Sequence, residues 1–205
     1  MICLLCQARF DPKPTWRRLF FLEYEASACM RCMEKFERFE GQIDFQDFQG
    51  TSYDGALDSA SALYTYNNPM KEYLHQYKFL QDAALHTVFT GELKDWLSKN
   101  QNVLVPIPMH PDKQKIRTFS HIELLLDGIA YYSLLSKLEA GGQGRKSRSE
   151  RLHATPLFQA TGTVESRDYL LFDDIYTTGT TLHHAAKALK DAGARKVHAL
   201  TLIKG

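Results

Sequence analysis

At 205 residues and 44% apolar, the chain is long enough to bury one sizeable core and leaves room for a small second module. Its formal net charge of +1 gives no global electrostatic reason to expect a nucleic acid or a membrane surface. No run approaches the roughly 18 apolar residues that a bilayer span requires, and the opening MICLLCQARF lacks the basic-then-apolar order of a secretory signal; no membrane-spanning segment and a cytoplasmic location are therefore expected.

All four cysteines fall within the first 32 residues as two CxxC pairs, Cys3 with Cys6 and Cys29 with Cys32. Under reducing conditions stable disulfides are disfavoured, and two such pairs can converge as four thiolates on one tetrahedral zinc. The 22 residues between Cys6 and Cys29 only lengthen the loop joining the two knuckles. Redox pairs or disulfides are the alternative. A zinc held by four thiolates has no open coordination position, so its expected role is to fold the segment and not to catalyse. Residues 1–45 are read as this zinc module, with EGQIDFQDFQG as the connector into a second domain over 46–205.

That domain opens with a strand in ALYTY, a turn at Asn67-Asn68-Pro69 and a helix from about Met70. Met70, Tyr73, Leu74 and Tyr77 fall on one face of it. A second helix is expected over Asp82–Lys99, with Leu85, Val88, Phe89, Leu93, Trp96 and Leu97 inward. NVLVPIP reads as a buried strand closed by prolines, and His121–Leu138 as a third helix. The stretch EAGGQGRKSRSERLHATP has the glycine, serine and charge content of a mobile loop. The strand DYLLFDD, a helix from about Thr180 to Ala192, Gly193 and the strand VHALTLI complete the pattern. Strands alternating with helices imply an α/β fold, a mostly parallel sheet flanked by helices.

The segment LLFDDIYTTGTTL, Leu170–Leu182, concentrates the chemistry. A buried strand over Tyr169–Phe172 places Asp173 and Asp174 at its carboxyl end, where ligands of open α/β sheets bind. Thr177, Thr178, Gly179, Thr180 and Thr181 then turn into a helix, offering backbone amides, hydroxyls and a helix N-terminus to a phosphate. Gly179 lets the backbone approach a ligand with no side chain in the way. An ATPase would need a GxxxxGK[ST] loop, and the nearest stretch, GGQGRKS, lacks the glycine before Lys146. Simple helix capping would use one acid and leaves the second acid and the TTGTT run unexplained.

The same thirteen residues resemble the phosphoribosyl pyrophosphate (PRPP) motif of type I phosphoribosyltransferases. The resemblance implies a type I phosphoribosyltransferase-like fold in which Asp173 and Asp174 bond the ribose 2′- and 3′-hydroxyls and Thr177–Thr181 bind the 5′-phosphate. The residue types agree, since carboxylates accept from a diol while amides and hydroxyls donate to a phosphate. Over nearly its full length the chain is similar to the ComF family of competence proteins, which joins a four-cysteine zinc module to this motif. YKF at Tyr77–Phe79 matches that family's pyrophosphate-side loop, VPIP at Val105–Pro108 its strand-end motif, and RTFS at Arg117–Ser120 stands where the family usually has RGFN. Lys78, Phe79 and Arg117 are thereby implied in PRPP binding. Gln143 and Arg151 match a Q…R flexible loop, in which Arg145, Lys146 and Arg148 add positive charge suited to closing over pyrophosphate or to binding single-stranded nucleic acid.

The family resemblance further implies magnesium on the pyrophosphate, a part in natural competence in the uptake or handling of single-stranded DNA, and a ComFA-type DNA translocase of helicase type as partner. An active phosphoribosyltransferase would transfer ribose 5-phosphate from PRPP to an acceptor, but the residues mark neither an acceptor pocket nor a catalytic residue. A zinc-dependent adaptor for single-stranded DNA is the third expectation. His110, His183 and His184 receive no role.

Overall fold

The computed structural model describes residues 1–12, 26–109, 118–138 and 156–205. In chain order the elements are helix α1 (Met30–Met33), strand β1 (Ser59–Thr65), helix α2 (Asn68–Lys78), a 3-10 turn (Ala83–His86) running into helix α3 (Thr87–Leu97), strand β2 (Val103–Pro106), helix α4 (His121–Leu125), strands β3 (Leu135–Lys137), β4 (Phe158–Ala160) and β5 (Asp168–Tyr176), helix α5 (Thr180–Asp191) and strand β6 (Lys196–Lys204). Among the described residues no helix is long and apolar enough to cross a membrane.

The main sheet is parallel, in the order β1-β6-β5-β2. Parallel strands are covered on both faces, and β5 shows why its sequence is almost continuously apolar. Leu170 and Phe172 enter the core beneath α2, α3 and α4. Tyr169 and Leu171, one residue out of phase, enter the second core beneath α5. The α5 side is filled by Leu182, Ala185, Ala186 and Leu189 against Val105, Val197 and Ala199, at the i, i+3, i+4, i+7 spacing of an amphipathic helix.

Local signals act as expected at the start of α2, where the Asn67 side chain accepts from the Met70 amide at 3.1 Å. The expected inward face of that helix, Met70, Tyr73, Leu74 and Tyr77, is buried. The expected Asp82–Lys99 helix splits instead into the 3-10 turn and α3.

Three further expectations change. The helix expected over His121–Leu138 ends at Leu125. Gly128, at φ +68, turns the chain back, and the Tyr132 amide donates to Leu104 O at 2.9 Å. Leu135 then joins Phe158 in the α5-side core as part of the antiparallel pair β3–β4, so burial of a separate apolar patch overrides helical periodicity. The strand DYLLFDD runs two residues further than expected, to Tyr176, because β6 pairs with it from Asp168↔Lys196 to Tyr176↔Lys204. The stretch EGQIDFQDFQG also does more than connect. Ile43 and Phe45 pack against the α5-side core, and the Phe48 ring stacks on His183 with centroids 3.5 Å apart.

The cysteine-bearing segment is fastened to the main body. Leu4, Leu5 and Met33 pack against the α2–α4 core, which Phe36 enters directly. The Phe39 amide donates to Leu63 O and the Thr65 amide to Glu37 O, which joins this stretch to the free edge of β1. Arg38 bridges to Glu92 of α3.

Candidate functional site

On one side of β5, pairing with β2 ends at Pro106↔Phe172, while on the other β6 continues. Asp173 and Asp174 therefore stand where the sheet has lost one neighbour, at its carboxyl edge. Alternation along a strand sends consecutive side chains to opposite faces. Asp174 follows Leu170 and Phe172 toward α2, is only 3% exposed, and pairs there with Lys78, the last residue of that helix. The same Oδ2 lies 3.3 Å from His121 Nε2. Asp173 is half-buried, and its Oδ1 accepts from the Asp174 amide at 2.9 Å. Burial pushes the Asp173 carboxyl up to about 6, against the opposing pull of the Lys78 and Lys137 charges.

The threonine loop follows directly. Gly179 takes φ +76 and stands at the N-cap of α5, a left-handed conformation that glycine adopts at little cost. A Cβ there would lie 2.2 Å from Tyr176 Oη, so the position also needs a bare backbone. No side chain caps α5, and Thr177 is exposed while Thr178, Thr180 and Thr181 are half-buried. Thr178 Oγ1 and Thr180 Oγ1 are 3.0 Å apart. First-turn amides and clustered hydroxyls of this kind form a ready cradle for an anion. His183 supports it from below. Its Nδ1 lies 3.0 Å from Gly179 O, and burial lowers its pKa to about 4, so at neutral pH an uncharged ring donates to that carbonyl.

The YKF stretch and Phe119 come together near the acids, the Tyr77 and Phe119 ring centroids lying 5.6 Å apart. Tyr77 Oη donates to His121 O at 2.6 Å, and Thr118 Oγ1 donates to Gln81 Oε1 at 3.0 Å. Ser120 caps α4 by accepting from the Glu123 amide. Lys78, Phe79 and Thr177 line a cavity of about 1010 Å³ that also includes Tyr66, His75 and Leu80. Phe79 is 68% exposed at its rim. Of the residues expected at the site, Arg117 and the loop residues Gln143, Arg145, Lys146, Arg148 and Arg151 lie outside the described residues, as does His110. The participants to which sequence reading gave no role are His121, Lys137 and His183. His121 follows RTFS directly, and that adjacency was the available signal; nothing local marks Lys137.

Cys3, Cys6, Cys29 and Cys32 place their sulfurs within 4.8 Å of one another, and all four are free thiols. A tetrahedral zinc with bonds of about 2.3 Å sets sulfurs about 3.8 Å apart, the separation found between Cys6 and Cys29 Sγ. The first pair sits in a knuckle closed by the Ile2↔Arg9 bridge and by Gln7 at φ +59; the second opens α1, with Cys29 at its N-cap. Burial opposes ionisation of Cys3, yet the amides of Cys29, Cys6 and Leu5 outweigh it and bring the thiol down to about 6. Burial and the neighbouring thiols push Cys32 far the other way. Four thiolates this close need a cation to coexist, so the cluster could hold a metal, and its donor set fits zinc.

A family model described as a phosphoribosyl transferase domain matches residues 131–205, the part that carries both acids and the threonine loop. Competence protein ComFC of Streptococcus pneumoniae (strain ATCC BAA-255 / R6) is 35% identical over all of this chain and all of that protein. Competence protein ComFC of Bacillus subtilis (strain 168) is 33% identical over all of this chain and 95% of that one. The chain belongs to the ComFC family of competence proteins. A solved structure described as the allosteric regulatory enzyme of purine biosynthesis is 23% identical, with a TM-score of 0.38 over 58% of this chain and 26% of the other. In this ComFC-family chain, Lys78, His121 and the four cysteines lie outside the matched transferase segment. The geometry nonetheless brings Lys78 and His121 onto an acid inside it.

Proposed function

We propose that this chain binds PRPP at the carboxyl edge of β5 and serves natural competence in the cytoplasm, in the uptake or handling of single-stranded DNA. The observation that carries the ligand assignment is the order of parts along β5 and α5: two acids beyond the end of β2, then a glycine-opened threonine loop leading into an uncapped helix. A ligand for both parts must present a diol to carboxylates and a phosphate to amides and hydroxyls, and PRPP does. Asp173 and Asp174 accept from the ribose hydroxyls, Thr177–Thr181 hold the 5′-phosphate, and Lys78 faces the pyrophosphate, with Phe79 at the rim. Arg117 and the basic loop of Gln143, Arg145, Lys146, Arg148 and Arg151 complete the reading from the sequence.

Magnesium prefers oxygen ligands. The Asp174 oxygen nearest Lys78 is already shared with His121, so the oxygens of the pyrophosphate are the better donors for such an ion. Zinc in the four-cysteine cluster folds residues 1–45 into a rigid platform, on which a ComFA-type translocase docks. The competence role rests on the two ComFC relatives, which this chain matches end to end.

Transfer of ribose 5-phosphate to an acceptor is the second reading, favoured by the match to a phosphoribosyl transferase domain. Held PRPP is oriented for such a step, and Lys78 would offset charge on departing pyrophosphate. Pyrophosphate release in a screen of nucleobases and nucleotides separates the two readings. Calorimetric titration with PRPP and magnesium tests the binding they share.

A further inference from the structure

Asp174 is nearly inaccessible, yet the reading above asks it to accept a hydroxyl of the ligand. Its Oδ2 is already engaged by Lys78 and, at 3.3 Å, by His121. A neutral hydroxyl does not by itself displace an ammonium from a buried carboxylate, because it brings no positive charge to offset the acid's once the cation leaves. Something must draw the lysine away first.

Lys78 is placed to be drawn. It ends α2, its side chain is 14% exposed, and it lines the cavity of about 1010 Å³ that Thr177 of the anion loop also lines. Its four-carbon stem allows the ammonium to pivot from the acid toward that opening. A buried carboxylate abandoned by its paired cation is strongly disfavoured. Here His121 remains, held in place by the Tyr77 hydroxyl on its backbone oxygen and by the cap at Ser120.

Resting on PRPP as the ligand, we propose that Lys78 is an exchangeable cation: it neutralises Asp174 in the free protein and moves to the ligand's pyrophosphate, while His121 keeps the freed acid oriented toward the ribose. His121 is thus a positioning residue for Asp174. The phosphate-rich end and the diol end of the ligand are thereby coupled, each favouring the state of Lys78 that the other needs. Two fragments, pyrophosphate and ribose 5-phosphate, bind together more tightly than either binds alone.

The coupling is measured on the unaltered protein by calorimetric titration of ribose 5-phosphate with and without saturating magnesium pyrophosphate. Pyrophosphate is expected to raise the affinity for ribose 5-phosphate by about tenfold, within the usual range of coupling between sites. In Lys78→Met the acid is free from the start, so ribose 5-phosphate binds without help and the enhancement disappears. His121→Ala, which removes the ring 3.3 Å from Asp174 Oδ2, weakens PRPP binding by about tenfold, and His121→Gln, which offers an amide donor in its place, recovers part of it. Wild-type protein that binds PRPP but shows no gain, or a loss, of ribose 5-phosphate affinity with pyrophosphate overturns the exchange. Failure of PRPP itself to bind overturns both this inference and the reading beneath it.

Discussion

Lys78 at the end of α2 and Asp174 at the carboxyl edge of the sheet form an ion pair that is unequal in access to water, the lysine side chain lining an open cavity and the acid sealed at 3% exposure. Removing the acid leaves a lysine that can turn outward. Removing the lysine leaves a buried carboxylate with His121 beside it. Lys78→Met is therefore expected to cost about 3 kcal/mol, toward the range for breaking a buried pair, and Asp174→Asn about 1 kcal/mol. At about 2–4 °C per kcal/mol for a chain of this size, thermal melts resolve the difference. Equal losses would show that the lysine is as tightly held as the acid.

Asp173 predicts an unusual pH response. Its carboxyl is pushed by burial from the ordinary 3.8 to about 6, so between these values the folded state holds a proton that the unfolded chain has released. Stability from this group is then full at the low end of that window and falls as pH rises through it, opposite to a salt-bridged acid. Binding runs the other way, because a diol needs an ionised acceptor. PRPP affinity should fall below about pH 6, by up to tenfold per unit for one proton. The ligand's own phosphates titrate nearby, so the contribution of Asp173 is read as the difference in slope between wild type and Asp173→Asn. Parallel profiles would show that Asp173 does not meet the ligand.

How legible this was in the sequence depended on how local each feature is. The two acids and the threonine loop are contiguous, so their succession from β5 into α5 is local, and the cysteines declare themselves by spacing and converge as expected. What escaped was set by contacts across the chain. His121 matters because α4 brings it to Asp174, and no periodicity in RTFSH announces that. The run after Leu125 keeps an apolar content that suits a helix, yet Gly128 and the space beneath α5 turn it into β3. The extension of β5 past both acids to Tyr176 is likewise owed to its partner β6. Phe48 and His183 read as unrelated residues until stacking joins them under the Gly179 loop.

The cysteine cluster predicts one zinc per chain, measured by elemental analysis of the purified protein. Stripping it with a strong chelator should unfold the knuckles, loosening Leu4, Leu5 and Met33 from the core they cover and lowering the melting temperature. Cys3→Ser should do the same, since that thiol is fully buried. A metal-free protein with unchanged stability, or a coloured iron centre in the same four thiolates, would count against structural zinc.

The central claim is that the edge of β5 and the start of α5 form a PRPP site, and calorimetric titration with PRPP and magnesium tests it most directly. One equivalent is expected to bind the wild-type protein, and Asp174→Asn, folded as judged by its melting curve, is expected to bind at least about tenfold more weakly, as losing a charged hydrogen-bond partner dictates. Wild-type protein that gives no heat and no protection from unfolding with PRPP, or an Asp174→Asn variant that binds equally well, would contradict it.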